Sequence, residues 1–138
     1  MLKKLPPKKV RLKLSKTKHL ICPSRINGIK AILLVDTGAS SSCIALSEKE
    51  RFKLSEKGTA FEAAGAGKDK VKAILSQRCH LILGRHTMGN QSFVLLDMQH
   101  INNTLAHENV APIDGILGAD FLRKNKAIID YGTKTLEL

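Results

Sequence analysis

The sequence is poor in aromatic residues and cysteines, and it lacks a long apolar run. Its 138 residues include four Phe, one Tyr and no Trp, so we expect a core of Leu, Ile, Val and Ala, without the aromatic platform on which nucleic-acid bases stack. The longest apolar stretch, residues 31–35, is only as long as a strand, which excludes a membrane-spanning helix and predicts no membrane partner. One domain with a single packed core is the simplest expectation for this length.

The cysteines and histidines are spaced neither as metal ligands nor as a disulfide framework. Three cysteines make an odd number without a CxxC pair, and five histidines form neither an HExxH nor an HxH motif. We therefore predict no metal site and no cofactor, and we interpret Cys43 as a small buried apolar group rather than a nucleophile. Lysines and prolines occupy the place where a secretory signal needs its apolar core, so the predicted location is cytoplasmic.

The positive charge is concentrated at the N-terminus. Of a net charge of +11, residues 1–18 contribute eight Lys or Arg and no acid, whereas the rest of the chain has 15 basic and 12 acidic residues. Such a segment can bind nucleic acid or an acidic surface by releasing counterions, although the solvated start of an edge strand is the simpler interpretation. Residues 1–9 are expected to form a flexible basic arm and residues 10–138 a single domain.

Alternating and continuous apolar patterns predict a mainly β protein. Residues 20–26 and 29–35 are expected to pair as a hairpin, because Asn27-Gly28 between them tolerates the positive φ angles of a type I′ turn. Further strands are predicted at residues 10–14, 71–75, 79–83, 92–96, 127–131 and 135–138.

Two short helices are predicted as well. Ser47 and Glu50 have the spacing of a capping box, which indicates a helix that ends near Leu54, and residues 119–124 form the second. The small residues within 59–70 suggest a hairpin tip, and residues 88–91 a turn. Residues 99–112 are polar, and we assign them no regular structure.

The motif best suited to catalysis is Asp36-Thr37-Gly38-Ala39-Ser40, which follows an apolar strand. A carboxylate at a strand end is well placed for catalysis. Alternatively, the same residue has a purely structural role, in which its side chain closes a turn by accepting a hydrogen bond from the backbone. A second acid, Asp120, is explained by its position at a helix N-terminus.

Residues 35–40 resemble the catalytic signature of the retropepsin-like aspartic proteases. Residues 115–120, with Ile116, Leu117 and Gly118, are similar to the second hydrophobic-glycine element of that family, and Gly65, Ala66 and Gly67 stand where its flap is expected. The resemblance spans residues 20–138 and looks closest to the compact single-domain versions found in bacteria. It implies a mainly β, retropepsin-like acid-protease barrel with two short helices.

The resemblance assigns a role to each residue of the Asp-Thr-Gly loop. Asp36 would be the catalytic carboxylate, Thr37 would brace two loops across a two-fold axis, and Gly38 would allow the tight turn. Ala39 and Ser40 would line the cleft. Because two adjacent carboxylates share one proton and only one Asp-Thr-Gly is present, the active unit is expected to be a homodimer that cleaves extended peptides as an aspartic endopeptidase.

Two alternatives stay open at this stage. The chain could be a catalytically silent peptide-binding or dimerisation module with a basic arm for nucleic acid, although the intact Asp-Thr-Gly favours the enzyme. Residues 65–67 could be a plain flexible loop. Neither the substrate nor the dimer geometry follows from the sequence, and the candidate lining residues of the cleft are Ile32, Ala39, Val71, Leu81 and Ile116.

Overall fold

The computed structural model describes residues 6–64 and 70–138, and strands dominate this part of the chain. It contains thirteen strands, two α-helices and a 3₁₀ helix at Leu46–Glu48. In chain order the elements are β1 (Lys9–Arg11), β2 (Lys13–Leu14), β3 (Leu20–Ile26), β4 (Ile29–Val35), β5 (Cys43–Ala45), β6 (Glu56–Ala64), β7 (Lys70–Ser76), β8 (Cys79–Leu83), β9 (His86–Gln91), β10 (Val94–Leu96), α1 (Gln99–His107), β11 (Gly115–Leu117), α2 (Ala119–Lys124), β12 (Ile128–Asp130) and β13 (Thr135–Glu137). The predicted mainly β class is confirmed.

Ten of these strands form one large sheet. Its order is β6-β7-β10-β5-β11-β4-β3-β8-β9, and β2 pairs with β3 beside this path. Most neighbours are antiparallel, but β11 runs parallel to β4 and β10 runs parallel to β5. The parallel pair β4 and β11 brings the ends of two apolar strands to the same edge, next to Asp36.

The β3–β4 hairpin has the predicted bounds and the predicted turn. Asn27 has a φ of 50° and Gly28 a φ of 83°, so both turn residues have the positive angles that a type I′ turn requires. The Asn27 amide also donates to the carbonyl oxygen of Phe52 over 2.8 Å and accepts from the backbone N–H of His80 over 3.0 Å. The turn is therefore fixed against two other parts of the chain.

A separate three-stranded sheet joins the two ends of the described chain in the order β1-β13-β12. Its buried side contains Val10 and Leu136, which are 2% and 0% exposed. Residues 10–14 were predicted as one strand, but the structure divides them at Leu12, because β1 pairs with β13 and β2 pairs with β3. Residues 6–8 of the predicted arm lead directly into β1, whose first residue is Lys9, and residues 1–5 lie outside the described part.

The helix predicted from the capping box is wrong. Ser47 lies within the 3₁₀ helix, whose N-cap is Ala45 and has no side-chain capping bond. Turns follow, and Phe52 and Leu54 are 0% and 7% exposed. The path of this segment is therefore set by the burial of these two side chains in the core. It is not set by the capping pattern.

Two further predictions need correction. Residues 88–91 belong to strand β9, because Gly89, with a φ of 80°, lies at an irregularity in the pairing with β8 rather than in a turn. Residues 99–107 form the helix α1 rather than an irregular segment. Its apolar residues pack into a second core cluster that also holds Leu34 and Ile116. No described helix is long and apolar enough to cross a membrane.

Candidate active site

Asp36 is the first residue after β4, and the parallel neighbour β11 fixes its backbone. The N–H of Asp36 donates to the carbonyl oxygen of Leu117 over 3.0 Å, which continues the register between Val35 and Leu117. Leu117 itself is fully buried. The half-buried side chain of Asp36 is therefore presented at the end of a rigid pair of strands.

The loop after Asp36 turns back on the carboxylate. The N–H of Gly38 donates to Oδ1 of Asp36 over 2.9 Å, and the N–H of Ala39 donates to the Asp36 carbonyl oxygen over 3.2 Å. Oδ2 accepts no hydrogen bond from any described residue. The turn-closing role considered for Asp36 is thus present, but it occupies only one carboxylate oxygen and leaves the other available for chemistry.

Gly118 lies directly against this loop, where there is no room for a side chain. A Cβ at Gly118 would come within 2.7 Å of the Ala39 carbonyl oxygen and 2.9 Å of the Ser41 carbonyl oxygen. The next residue, Ala119, donates its N–H to the same Ala39 oxygen over 2.7 Å. The second hydrophobic-glycine element predicted from the sequence therefore supports the Asp36 loop by close backbone contact.

A link between buried Ser42 and Asp120 ties the loop to helix α2, and no sequence pattern pairs these two residues. Ser42 is 1% exposed, and its hydroxyl donates to Oδ1 of Asp120 over 2.7 Å while accepting the N–H of Gly118 over 2.9 Å. The backbone N–H of Ser42 donates to the same carboxylate oxygen over 2.9 Å. The explanation of Asp120 by the helix N-terminus is therefore incomplete, because Asp120 also anchors the strand that follows the Asp36 loop.

Asp36 opens onto a pocket of about 480 Å³. Four of its lining residues belong to residues 36–40, and most of the others are apolar side chains from β5, β6, β7, β10, α1 and β11. The predicted site and cleft residues found in this lining are Asp36, Gly38, Ala39, Ser40, Val71 and Ile116. Their arrangement suits a bulky apolar side chain next to a carboxylate.

Other predicted residues lie elsewhere. Thr37 is exposed at the turn and does not line the pocket, and the proposed lining role of Leu81 is wrong because it is fully buried in the first core cluster. Ile32 is 42% exposed but faces a different depression of the surface. The predicted flap residues 65–67 lie outside the described residues.

Helix α1 contributes a wall of the pocket that sequence reasoning missed. His100 and Ile101 line it, and Asp97 just before the helix accepts the N–H of Gln99 over 2.9 Å. The Asn102 amide holds the helix in place, since it accepts the N–H of Ile113 over 2.8 Å and donates to the carbonyl oxygen of the same residue over 3.1 Å. This helix is therefore fixed to the segment that enters β11.

A half-buried acid, Asp114, holds that segment against β4. Its carboxylate accepts the N–H of Ile32 over 2.8 Å and forms an ion pair with Arg51 at 2.6 Å. Burial raises the pKa of Asp114, and the bond from Ile32 and the charge of Arg51 oppose that rise only in part. We interpret Asp114 as a structural acid, because it does not line the pocket.

Cys43 also lines the pocket, and its thiol is not activated as a nucleophile. Burial raises the pKa of Cys43 to about 11, which keeps this thiol protonated and agrees with its interpretation as a small apolar group. Within residues 6–64 and 70–138, no three His, Cys, Asp or Glu side chains lie close enough together to hold a metal ion.

Three comparisons place this geometry among known proteins. The family model described as aspartyl protease matches residues 22–121, which is more than half of the chain and includes both the Asp36 loop and Gly118. No curated protein sequence matches significantly.

Solved structures share the fold at low sequence identity. The retroviral protease-like domain of Ddi1 from Leishmania major has a TM-score of 0.58 at 20% identity, with 86% of each chain covered. A retropepsin-like aspartic protease from Rickettsia conorii has a TM-score of 0.58 at 17% identity, covering 96% of this chain and 90% of that one. EIAV protease in complex with the inhibitor HBY-793 has a TM-score of 0.55 at 19% identity, covering 86% of this chain and 98% of that one. The chain therefore belongs to the aspartyl protease family and has the retropepsin-like fold.

Proposed function

We propose that the protein is an aspartic endopeptidase whose active site forms when Asp36 of one copy meets Asp36 of a second copy. The observation that carries this proposal is the position of Asp36, at the end of a rigid strand pair and at the opening of a largely apolar pocket. Membership of the aspartyl protease family supports it.

The proposed chemistry needs two carboxylates that share one proton. Two such groups about 3 Å apart cannot both ionise, so one is charged and the other protonated. The charged group removes a proton from water, whose oxygen bonds to the peptide carbonyl carbon, and the protonated group donates to the carbonyl oxygen. The leaving nitrogen then takes the proton held by the first carboxyl group, and the second carboxylate accepts a proton from a hydroxyl of the diol. The C–N bond breaks as the C=O bond re-forms, and the pair again shares one proton.

The second carboxylate is expected from another copy of the chain. Within the described residues Asp36 has no acidic hydrogen-bond partner, and no hydrogen bond joins it to Asp97, the other acid that lines the pocket. A two-fold axis beside Asp36 would supply an identical group in an identical setting, as a symmetric dimer requires. Catalysis should therefore depend on protein concentration in the range where the dimer dissociates.

The expected substrate is an extended peptide with a large apolar side chain close to the cleaved bond. Val71, Val94 and Ile116 supply apolar contacts in the pocket, and an extended chain can pair its backbone with neighbouring strands independently of its sequence. We propose a cytoplasmic setting, where the three thiols stay reduced.

The test is cleavage of a diverse peptide library between about pH 4 and 7, read by mass spectrometry, because this range brackets the ionisation of a carboxylate pair. Wild type is compared with Asp36→Asn and with Asp130→Asn, a matched change of a fully surface-exposed acid in β12. We expect cleavage by wild type and Asp130→Asn, and none by Asp36→Asn. Folded, dimeric wild type that cuts no peptide would contradict the proposal and leave a silent peptide-binding module.

A further inference from the structure

A second groove lies on the outer face of β2, β3 and β4. Two depressions of about 410 and 340 Å³ share Lys13, Ile21 and Ile32, so they form one continuous surface feature. Neither depression shares a lining residue with the pocket beside Asp36. We call this feature the basic groove.

The floor of the basic groove is apolar and open to solvent. Leu14 is 41% exposed and Ile32 is 42% exposed, which places them among the most exposed large apolar side chains of the described residues. Ile21 and Val110 add partly buried apolar surface beside them. Exposed apolar surface with a polar rim is typical of a site that binds a partner.

The charged residues at the rim of the groove are all cationic. Lys13, Lys16, Arg25 and Lys30 line it, and no described Asp or Glu does. None of the four forms an ion pair with an acid in the described part of the chain. Their charges therefore form no ion pair with any described acid, which favours a polyanionic ligand.

The adjoining surface extends the same charge. Two neighbouring depressions are connected to the groove through Lys13 and Gly84, and Lys9, Arg11, Arg85 and Lys134 line them without a described acid. Arg25, Lys30, Arg85 and Lys134 lie outside residues 1–18. The fold thus gathers cations that the charge run at the N-terminus alone does not include.

We propose that the basic groove binds an acidic polypeptide segment that carries apolar side chains, at a site separate from the pocket of Asp36. Apolar side chains would cover Leu14 and Ile32, and carboxylates would meet the lysines of the rim. No aromatic residue lines the groove, so single-stranded nucleic acid would find no stacking surface. A second copy that docked here with its own groove would bring cations against cations.

The proposal goes beyond the endopeptidase activity and does not need it. If both hold, the groove would act as an exosite that captures acidic substrate proteins. Binding is therefore measured with Asp36→Asn protein, so that a negative result for cleavage and a negative result for binding stay distinguishable.

The experiment measures fluorescence anisotropy of a labelled peptide of alternating glutamate and leucine, at about 50 and about 300 mM salt. The test variant adds Lys13→Glu and Lys30→Glu to Asp36→Asn, and the matched control adds Lys57→Glu and Lys124→Glu, two exposed lysines outside the groove. We expect binding about tenfold weaker in the test variant and unchanged in the control. Ile32→Gln should also weaken binding, which a purely electrostatic attraction would not show.

Two results would overturn the proposal. Equal loss of binding in the test and control variants would mean that only net charge matters. Tighter binding of a DNA oligonucleotide than of the peptide, lost in the same test variant, would assign the groove to nucleic acid instead.

Discussion

The two concave surfaces of this domain are built in opposite ways. The Asp36 pocket rests on backbone contacts with no spare room, such as the 2.7 Å from a Cβ at Gly118 to the Ala39 oxygen, and on the link between buried Ser42 and Asp120. The basic groove instead has exposed apolar side chains and cations without described ion-pair partners. A site that must hold a reacting carboxylate is rigid, whereas a surface that captures a partner can leave its groups unpaired until the partner arrives.

This contrast predicts that equal chemical changes will have unequal effects in the two places. Substitutions near Asp36 should lower both the free energy of unfolding and the rate of cleavage. Substitutions in the basic groove should weaken binding of the acidic peptide and leave the fold intact.

Gly118→Ala should have the largest effect. The new methyl group would clash with backbone oxygens of the Asp36 loop, which we expect to lower the free energy of unfolding by about 3 kcal/mol. Urea denaturation measures this loss in the free energy of unfolding. The control is Gly58→Ala, where a Cβ meets nothing within 4 Å and only the φ of 74° is unfavourable, so the loss should be about 1 kcal/mol. Equal losses would show that Gly118 is not tightly packed.

Ser42→Ala removes the hydroxyl that joins Gly118 to Asp120. It leaves the N–H of Gly118 buried without that partner, so we expect a loss of about 2 kcal/mol and weaker cleavage. Exposed Ser47→Ala serves as the control and should change neither. Urea denaturation and peptide cleavage rates are the two measurements, and wild-type values for Ser42→Ala in both would refute the role of this link.

The buried thiol of Cys22 should make the free energy of unfolding fall at alkaline pH. Burial raises the pKa of this thiol from 9.0 to about 12, so the folded protein keeps its proton where the unfolded chain loses it. Stability should be unaffected below pH 9 and should fall as pH rises above it. The wild type should lose about 1 kcal/mol more than Cys22→Ala between about pH 8 and 10, as measured by urea denaturation. Parallel pH profiles would contradict the assignment.

The smallest expected effect on folding belongs to the groove. Lys13→Glu combined with Lys30→Glu should change the free energy of unfolding by no more than about 0.5 kcal/mol, because both side chains are exposed and pair with no described acid. Thermal unfolding measures this. A large loss would mean that these lysines stabilise the domain itself, and the contrast between the two surfaces would fail.

Local patterns in the sequence predicted the elements that are set locally. The β3–β4 hairpin has the predicted bounds because Asn27 and Gly28 fit one kind of turn, and α2 begins where the glycine of residues 115–118 ends a buried strand. Helix α1 was missed although Met98, Ile101 and Leu105 have helical spacing, because the polar residues between them suggested a loop.

Long-range contacts were beyond the sequence. Ser42 and Asp120 are 78 positions apart and show no pattern that pairs them, and Arg25 and Arg85 join the basic surface only because strands bring them together. The position of Asp36, at the end of an apolar strand and the start of a tight turn, could be predicted because this pattern lies in consecutive residues. Its supporting contacts could not, since they depend on the packing of the whole domain.

The central claim, that two copies of Asp36 form one site, is tested most directly by mixing subunits. Wild-type protein at fixed concentration receives an equal amount of Asp36→Asn protein under conditions of subunit exchange, and peptide cleavage is measured. If each site needs Asp36 from both chains, random pairing leaves about half of the original activity. If one chain holds a complete site, the activity stays unchanged, and that result would contradict the account.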